Sequence, residues 1–442
     1  MMETLHQVWS KNKIFRIFLI VALVWFLIRL VFQLAYLSDF GQQWVLPDDL
    51  QVYKLTAERL VAHTDLYRPE EVYSIEYFQY APSFALAFYP LARLPLPVLS
   101  IGWMLLQIFF CFILWQRWNS ILAYLKLFPA RNILLLTLPA WLFFSQYWGD
   151  VAYGNIYILM ALLSTLLLES VLKRQLGWTI LWLGIILQIK PQCSFAMVIP
   201  LCQRDFKFLF KSLAGSALVY LGCIGLTMAA AGGNYVMGQY FAYFEFVKSL
   251  NAFFPWSKLP FLGYNHSILQ TVIYFTGLSY SSLAVGITAF IKIVFMVPLV
   301  YLSWQFGRNR RSQSSALMLA LAWYVGVFFL MDIVWEVTLI LPILAMIWPI
   351  LRNRTEKWIV AFPIVLYVLL DFWQIASYLI WGDAILWQDS GYLLTDPAIY
   401  FPIILLVLLL VYVMLIRDLF NQQLSPRQAQ LMSDKSTPAI PL

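Results

Sequence analysis

The stretch "IFRIFLIVALVWFLIRLVFQLAYL" (residues 14–37) is interrupted only by Arg16, Arg29 and Gln33. As a helix it reaches about 36 Å, enough to cross a hydrocarbon core of about 30 Å. It is too long for the apolar part of a signal peptide and no small-residue cleavage site follows, so it reads as a retained first membrane helix. The next segment is unusual beside an anchor. "VLPDDLQVYKLTAERL" (45–60) sets two adjacent carboxylates, Asp48 and Asp49, ahead of an amphipathic run.

The remainder of the 442-residue chain has the same character: 62% of residues are hydrophobic and 12% charged. Soluble domains carry about 25% charged residues, so the composition specifies an all-α polytopic membrane protein. Aromatic residues at 18%, with 19 tryptophans, suit belts at the two lipid–water boundaries. Apolar segments predict about twelve spanning helices, near 14–36, 98–117, 131–147, 153–172, 176–190, 192–204, 208–231, 284–306, 314–331, 334–351, 357–380 and 398–416. Two shorter pieces, 80–94 and 265–278, predict re-entrant or interfacial helices, and Pro90, Pro95 and Pro97 separate the first from its neighbour. Residues 1–420 therefore form one transmembrane domain, and 421–442 read as a disordered cytoplasmic tail. Cys111, Cys193, Cys202 and Cys223 lie in apolar runs without paired spacing, as small buried residues rather than disulfides or metal ligands.

The net charge of +7 raises the question of nucleic acid. Placement answers it. Lys11, Lys13 and Arg16, then Arg117, Lys126 and Arg131, Lys173 and Arg174, Arg204, Lys207 and Lys211, "GRNRRS" (307–312), Arg352, Arg354 and Lys357, and Arg417 all fall on one side if the chain crosses twelve times. The positive-inside rule makes that side the cytoplasm, with both termini there, in a cell (plasma) membrane. No nucleic-acid partner is implied.

The opposite side collects the polar chemistry: loop 38–79, the turn "YWGDVAYGN" (147–155), "IKPQ" (189–192), loop 232–264, "MDIVWEV" (331–337) and loop 381–397. ATP and nucleotide sugars are poor substrates for a site outside the cytoplasm, and neither a Walker A nor a dinucleotide fingerprint occurs.

Of the two aspartates, one is expected to cap a helix over 50–62, Asp48 before Asp49. The second is then available as a general base, its pKa raised by desolvation and by its neighbour. Arg68, Glu70, Glu71 and Glu76 alternate with aromatic residues in 66–80, as a solvated loop or as a pocket for a polyhydroxylated substrate. Lys190 runs against the positive-inside bias. A lysine at mid-membrane costs about 2.5–3.5 kcal/mol, so it belongs near an interface, beside a partner, or in a wet cavity where it meets a phosphate. Asp150, Asn155, Asn265, His266, Ser267, Asp332 and Glu336 sit at helix ends, where capping is the plain role and binding the alternative. Arg29 and Asp371 lie inside spans, a position that marks functional candidates.

Four blocks in order then resemble glycosyltransferase family 87: "DLQVYKLTAERL" (49–60) with "FQYAPSFALAFYPLARLP" (78–95), "WGDVAYGNIYILMALLSTLLLE" (148–169), "IKPQ" (189–192) and "NHS" (265–267). The resemblance implies a GT-C-type membrane enzyme that moves a hexose, usually mannose, from a polyprenyl-phosphate donor to an extracytoplasmic lipid or glycan acceptor, without a cofactor. It places the family's loop aspartate, the proposed base, on Asp49, with Asp48 capping or tuning it. Lys190, then His266, then Arg68 are the expected donors to the leaving phosphate; Asn155, Asn265, Asp150 and Glu336 are expected around the sugar or acceptor. Two departures bear on the sugar and acceptor: "YGN" (153–155) is one residue shorter than the family's Y-G-Q-x-N, and "DIVWEVTLILP" (332–342) lacks a histidine. The competing reading is a transporter or lipid flippase, which needs polar groups spread through the membrane depth, often in repeated halves. No repeat is visible. A member that has lost catalysis and serves as a binding subunit is the third.

Overall fold

The computed structural model describes residues 8–10, 12–68, 77–254, 265, 267–307, 312–334, 337–369 and 397–424. Among these residues the elements are helices, with no strand. In chain order they are α1 (Lys13–Leu37), α2 (Asp48–Val61), α3 (Pro82–Ala92), α4 (Leu96–Tyr124), α5 (Phe128–Leu136), α6 (Leu138–Phe143), α7 (Ser145–Tyr153), α8 (Tyr157–Leu172) and α9 (Leu176–Ile189). A 3₁₀ segment, Pro191–Met197, leads into α10 (Val198–Cys202), followed by α11 (Phe206–Ala231), α12 (Gly233–Phe253), α13 (Ile268–Thr276), α14 (Ser282–Phe306), α15 (Gln313–Leu330), α16 (Ile340–Ile347), α17 (Arg354–Val368) and α18 (Pro397–Leu424).

Burial sorts these helices. α15 is apolar on every side and 67% buried over its spanning window, and α8 is buried along nearly its whole length; together they form the centre. α1, α11 and α14 are equally apolar but only 22%, 11% and 22% buried. Phe210, Leu218 and Leu226 of α11 stand fully open. A helix hydrophobic all round and yet uncovered is at home only in hydrocarbon. The protein is an all-helical polytopic membrane protein.

Six helices among the described residues are long and apolar enough to cross a bilayer, or seven if Phe128–Leu136 and Leu138–Tyr153, bent by 49° across Thr137–Pro139, form one broken span. These account for seven of the twelve expected crossings. Four more, expected over 153–172, 176–190, 192–204 and 334–351, are shorter helices. The twelfth, 357–380, begins as α17 and then leaves the described residues, as does Asp371. The shortening has a local cause. α9 stops at Lys190, extended at φ −138° because Pro191 excludes the helical conformation before it. α8 starts only after Gly154, left-handed at φ +68°, has turned the chain.

The expected loop 232–264 instead contains the 21-residue helix α12. The Gly232–Gly233–Asn234 opening disguises it, but Tyr240, Tyr243 and Phe246 point inward while Met237, Phe241 and Phe244 are exposed, which is helical spacing. It also holds the first loop: Tyr235 donates to Thr64 O at 2.6 Å, and Gln239 Oε1 accepts the Leu66 N–H at 3.0 Å. At the far end α18 runs to Leu424, past the expected start of the tail at 421; 425–442 lie outside the described residues.

α9 and α11 meet through small residues. A Cβ on Gly184 would lie 2.6 Å from Val219, and one on Gly215 would overlap Ile180. This close approach fixes the depth of α9 and of the lysine at its end.

Candidate active site

The α2 N-terminus differs in detail from expectation. Pro47, not Asp48, occupies the cap position, and Asp48 and Asp49 are the first two helical residues, both beside the unsatisfied N–H groups of the first turn. Neither is needed as a cap. Asp48 is exposed and Asp49 half-buried. Desolvation raises the pKa of Asp48, although its openness to solvent limits that effect.

The turn "YGN" presses on this same end. A Cβ on Gly154 would sit 2.8 Å from Leu50 Cβ and 3.0 Å from Pro47 Cβ, so only glycine lets α2 and the turn touch. α4 clamps the turn from behind: Trp103 donates to Gly154 O at 2.9 Å and Gln107 to Asn155 O at 2.6 Å. Asp150, fully buried, accepts the N–H groups of Tyr157 at 3.0 Å and Ile158 at 2.8 Å. It caps α8, the plainer of its two expected roles.

One turn beyond Asp49, Tyr53 is 1% exposed, with its hydroxyl 3.3 Å from Asn155 Oδ1, to which it donates, and 3.3 Å from the Tyr80 hydroxyl. Burial first, then the Tyr80, Asp49 and Asp150 oxygens, push its phenol well above the ordinary value, so Tyr53 is a neutral donor. Tyr80 is fixed in turn: its carbonyl accepts from Tyr67 at 2.7 Å, and Ala81 N–H donates to Gln188 O at 3.1 Å. Ser83 at the start of α3 also bonds the Gln188 side chain.

These contacts bring the α3 entrance against the end of α9, where Lys190 is 6% exposed. Its ammonium lies 3.8 Å from the Tyr157 ring centroid and 5.7 Å from that of Tyr80. Asp49's helix, Asn155 and Lys190 are thus linked by contact through Tyr53, Tyr80 and Tyr157. Asp49, Asn155 and Lys190 are among the expected site residues; the three tyrosines are not. Tyr53 was signalled by its four-residue spacing from Asp49; Tyr157 had no signal beyond its neighbour Asn155.

Asn265, 0% exposed, is engaged elsewhere. Its Oδ1 accepts Val334 N–H at 2.9 Å and Ser267 N–H at 3.2 Å, and its Nδ2 donates to Asp332 O at 3.1 Å. Asp332 also bonds Lys292, and its other oxygen accepts from Asn251 at 2.8 Å. Ser267 caps α13. Arg68 is half-buried at the edge of the described loop. Glu70, Glu71, Glu76, His266 and Glu336 lie outside the described residues. Arg29 is 1% exposed on α1, near Gln33 and 5.2 Å over the Trp148 ring.

Behind α7 lies an apolar cavity of about 220 Å³, walled by Phe26 of α1, Trp115 of α4, Trp141 of α6, and Tyr147, Trp148 and Val151 of α7. Among the described residues no three His, Cys, Asp or Glu side chains gather as a metal site.

The family model of glycosyltransferase family 87 matches residues 78–342. The match contains Tyr80, Asn155, Lys190 and Asn265; Asp48, Asp49 and Tyr53 precede it. No curated protein and no solved structure matches the chain. With the match covering more than half of its length, and an all-helical membrane architecture around it, the chain belongs to glycosyltransferase family 87.

Proposed function

We propose that this membrane glycosyltransferase moves a hexose, mannose first among candidates, from a polyprenyl-phosphate donor to a lipid or glycan acceptor on the outer side of the cell membrane. Asp49 removes the proton from an acceptor hydroxyl. That oxygen forms a bond to the anomeric carbon as the bond from that carbon to the phosphate oxygen breaks, and the configuration inverts. The polyprenyl phosphate leaves with added negative charge, which Lys190 offsets as a fixed cation; His266 and Arg68 are the further candidate donors. Asn155, whose Oδ1 is held by Tyr53, presents its Nδ2 to a sugar hydroxyl, while Asp150 and Asn265 serve the scaffold. The cavity behind α7 suits part of an isoprenoid chain.

The observation that carries this reading is the contact chain from α2 to Lys190. Helix lengths add to it. α9 has 14 residues, about 21 Å, and the return through Pro191–Cys202 is shorter still. With Lys173 and Arg174 at one end, and Arg204 and Lys207 at the other, on the cytoplasmic side, the two legs make a re-entrant hairpin with Lys190 at its apex, inside the bilayer. Such a hairpin removes two crossings at once, so every basic cluster keeps its side. The first loop, entering at Tyr80, descends to meet it. A GT-C-type architecture fits this arrangement.

The test supplies purified protein with radiolabelled polyprenyl-phosphate hexoses and a membrane lipid extract. Asp49→Asn should lower transfer by roughly 10²–10⁴. Equal transfer by both proteins would remove Asp49 as base. Transfer by neither, across several hexoses, would favour the transporter reading.

A further inference from the structure

We infer that Tyr80 is a positioning residue that sets the distance between Asp49's helix and Lys190, using its hydroxyl for one and its ring for the other. The inference rests on the reading of Asp49 as base and Lys190 as phosphate partner.

Tyr80 is 2% exposed and so does not meet bulk solvent. Its two chemical faces have different partners. The hydroxyl lies 3.3 Å from the Tyr53 hydroxyl, and Tyr53 packs edge-on at 5.7 Å between ring centroids. Because Tyr53 donates its own proton to Asn155 Oδ1, Tyr80 is the donor to Tyr53, giving a directed chain Tyr80 to Tyr53 to Asn155. The ring face supports the Lys190 ammonium at 5.7 Å. Meanwhile the peptide between Tyr80 and Ala81 is held on both sides: Tyr67 donates to its carbonyl, and its N–H donates to Gln188 O of α9, the helix that ends at Lys190. A residue pinned by its backbone to the helix that carries Lys190, bonded through oxygen to Asp49's helix and facing the ammonium with its ring, acts as a spacer. A hydroxyl and a ring can be removed separately, so the two halves of the role are separable.

Tyr80→Phe deletes the hydroxyl and keeps the ring; Tyr80→Leu deletes both. With the same labelled donor, Tyr80→Phe should lower kcat about tenfold with the donor KM within twofold of wild type. Tyr80→Leu should show that kcat loss and, in addition, a donor KM raised about tenfold. Tyr53→Phe removes that bond and the one to Asn155, so it should lower kcat at least as much as Tyr80→Phe, and the double variant should be no worse than Tyr53→Phe, because the bond between the two hydroxyls is already lost there. The Kd for polyprenyl phosphate, which needs no turnover, should weaken about tenfold in Tyr80→Leu and stay within twofold in Tyr80→Phe. A wild-type kcat in Tyr80→Phe, additive loss in the double variant, or equal Kd for the two Tyr80 variants would each overturn the spacer. Asp49→Asn, run in parallel, reports on the underlying reading by itself: undiminished transfer there removes the base, and with it the reason for the kcat loss, whereas the Kd difference between the two Tyr80 variants needs no turnover and is read separately.

Discussion

Lys190 and Lys292 both lie largely inside the protein, Lys190 against two aromatic rings and Lys292 against a carboxylate. Lys292, the eleventh residue of the 25 in α14, is bonded to the Asp332 carboxylate and donates to Leu330 O at 2.8 Å. Asn251 completes the carboxylate, and Asn265 binds the Asp332 carbonyl. Positive and negative charge cancel there, and the result ties α12, α14 and the segments after α15 and before α13. Lys190 rests on the faces of Tyr157 and Tyr80. Ring quadrupoles stabilise a cation without themselves bringing a full negative charge. A cation matched to a carboxylate holds helices together; for Lys190, on the function proposed above, the anion to be met is the donor's phosphate.

The largest expected effect follows from that contrast. Lys190→Met should reduce transfer by about 10²–10³, the scale on which one transition-state donor is worth, with little change in Tm. Lys292→Met should do the reverse. It leaves the Asp332 carboxylate, 29% exposed at its side chain, without its cation, at about 1–3 kcal/mol, below the 3–5 kcal/mol of a fully buried pair. Transfer per folded molecule should hold. Adding Asp332→Leu should recover part of the stability, because no lone charge then remains. Thermal unfolding beside the transfer assay decides it: the contrast breaks if the two lysines show the same profile.

Gly154→Ala sharpens the comparison from the α2 side. An alanine at φ +68° carries about 1–2 kcal/mol of backbone strain, and its Cβ would also push Leu50 and Pro47 away from the turn. Gly277, at φ +67°, has nothing within 4 Å of such a Cβ. Gly277→Ala therefore carries the strain alone and serves as the control. Both variants should lose similar backbone stability, but only Gly154→Ala should also lower transfer, several-fold, by displacing Asp49. Equal transfer in the two would mean that contact between the turn and α2 does not set the site.

Much of this was legible in residues and some was not. The membrane class follows from composition, and the six long spans from runs such as 14–37 and 208–231, because apolar length is what a bilayer selects. Asn155 and Lys190 stand out as candidates because each is a polar group bordering an apolar run, and Asp49 because it is paired with Asp48. α8 and α9, 16 and 14 residues long, read as crossings because hydropathy measures apolarity and not whether protein or lipid covers it; α8 is apolar as a core helix. α12 hid behind a Gly-Gly opening and mixed polarity. Asn265 looked like a ligand because a side chain that binds backbone and one that binds sugar have the same chemistry, and only three-dimensional neighbours separate them. Among 25 tyrosines, Tyr53 carries a signal in its spacing from Asp49, whereas Tyr157 carries none.

The smallest expected effect calibrates the ion pair at Lys292 against one at the margin of the protein. Arg417 of α18 donates to both Glu356 oxygens, at 2.9 and 3.2 Å, and the Arg352 N–H adds a third bond at 2.8 Å. The Arg417 hydrogen bonds first, and then that of Arg352, hold Glu356 below its ordinary pKa. A depressed acid contributes stability above its unfolded pKa, about 4.3, and loses that contribution as the pH falls through its folded value. Glu356→Gln should therefore lower Tm slightly at pH 7, by less than Lys292→Met does, and the two proteins should converge as the pH drops below that lowered pKa. Tm measured from pH 7 downward for wild type, Glu356→Gln and Lys292→Met tests this directly. Solvent screens both pairs, but the Arg417 side chain is 30% exposed against 14% for Lys292, so a Glu356→Gln loss as large as that of Lys292→Met would mean that burial of the cation is not what gives the Lys292–Asp332 pair its strength.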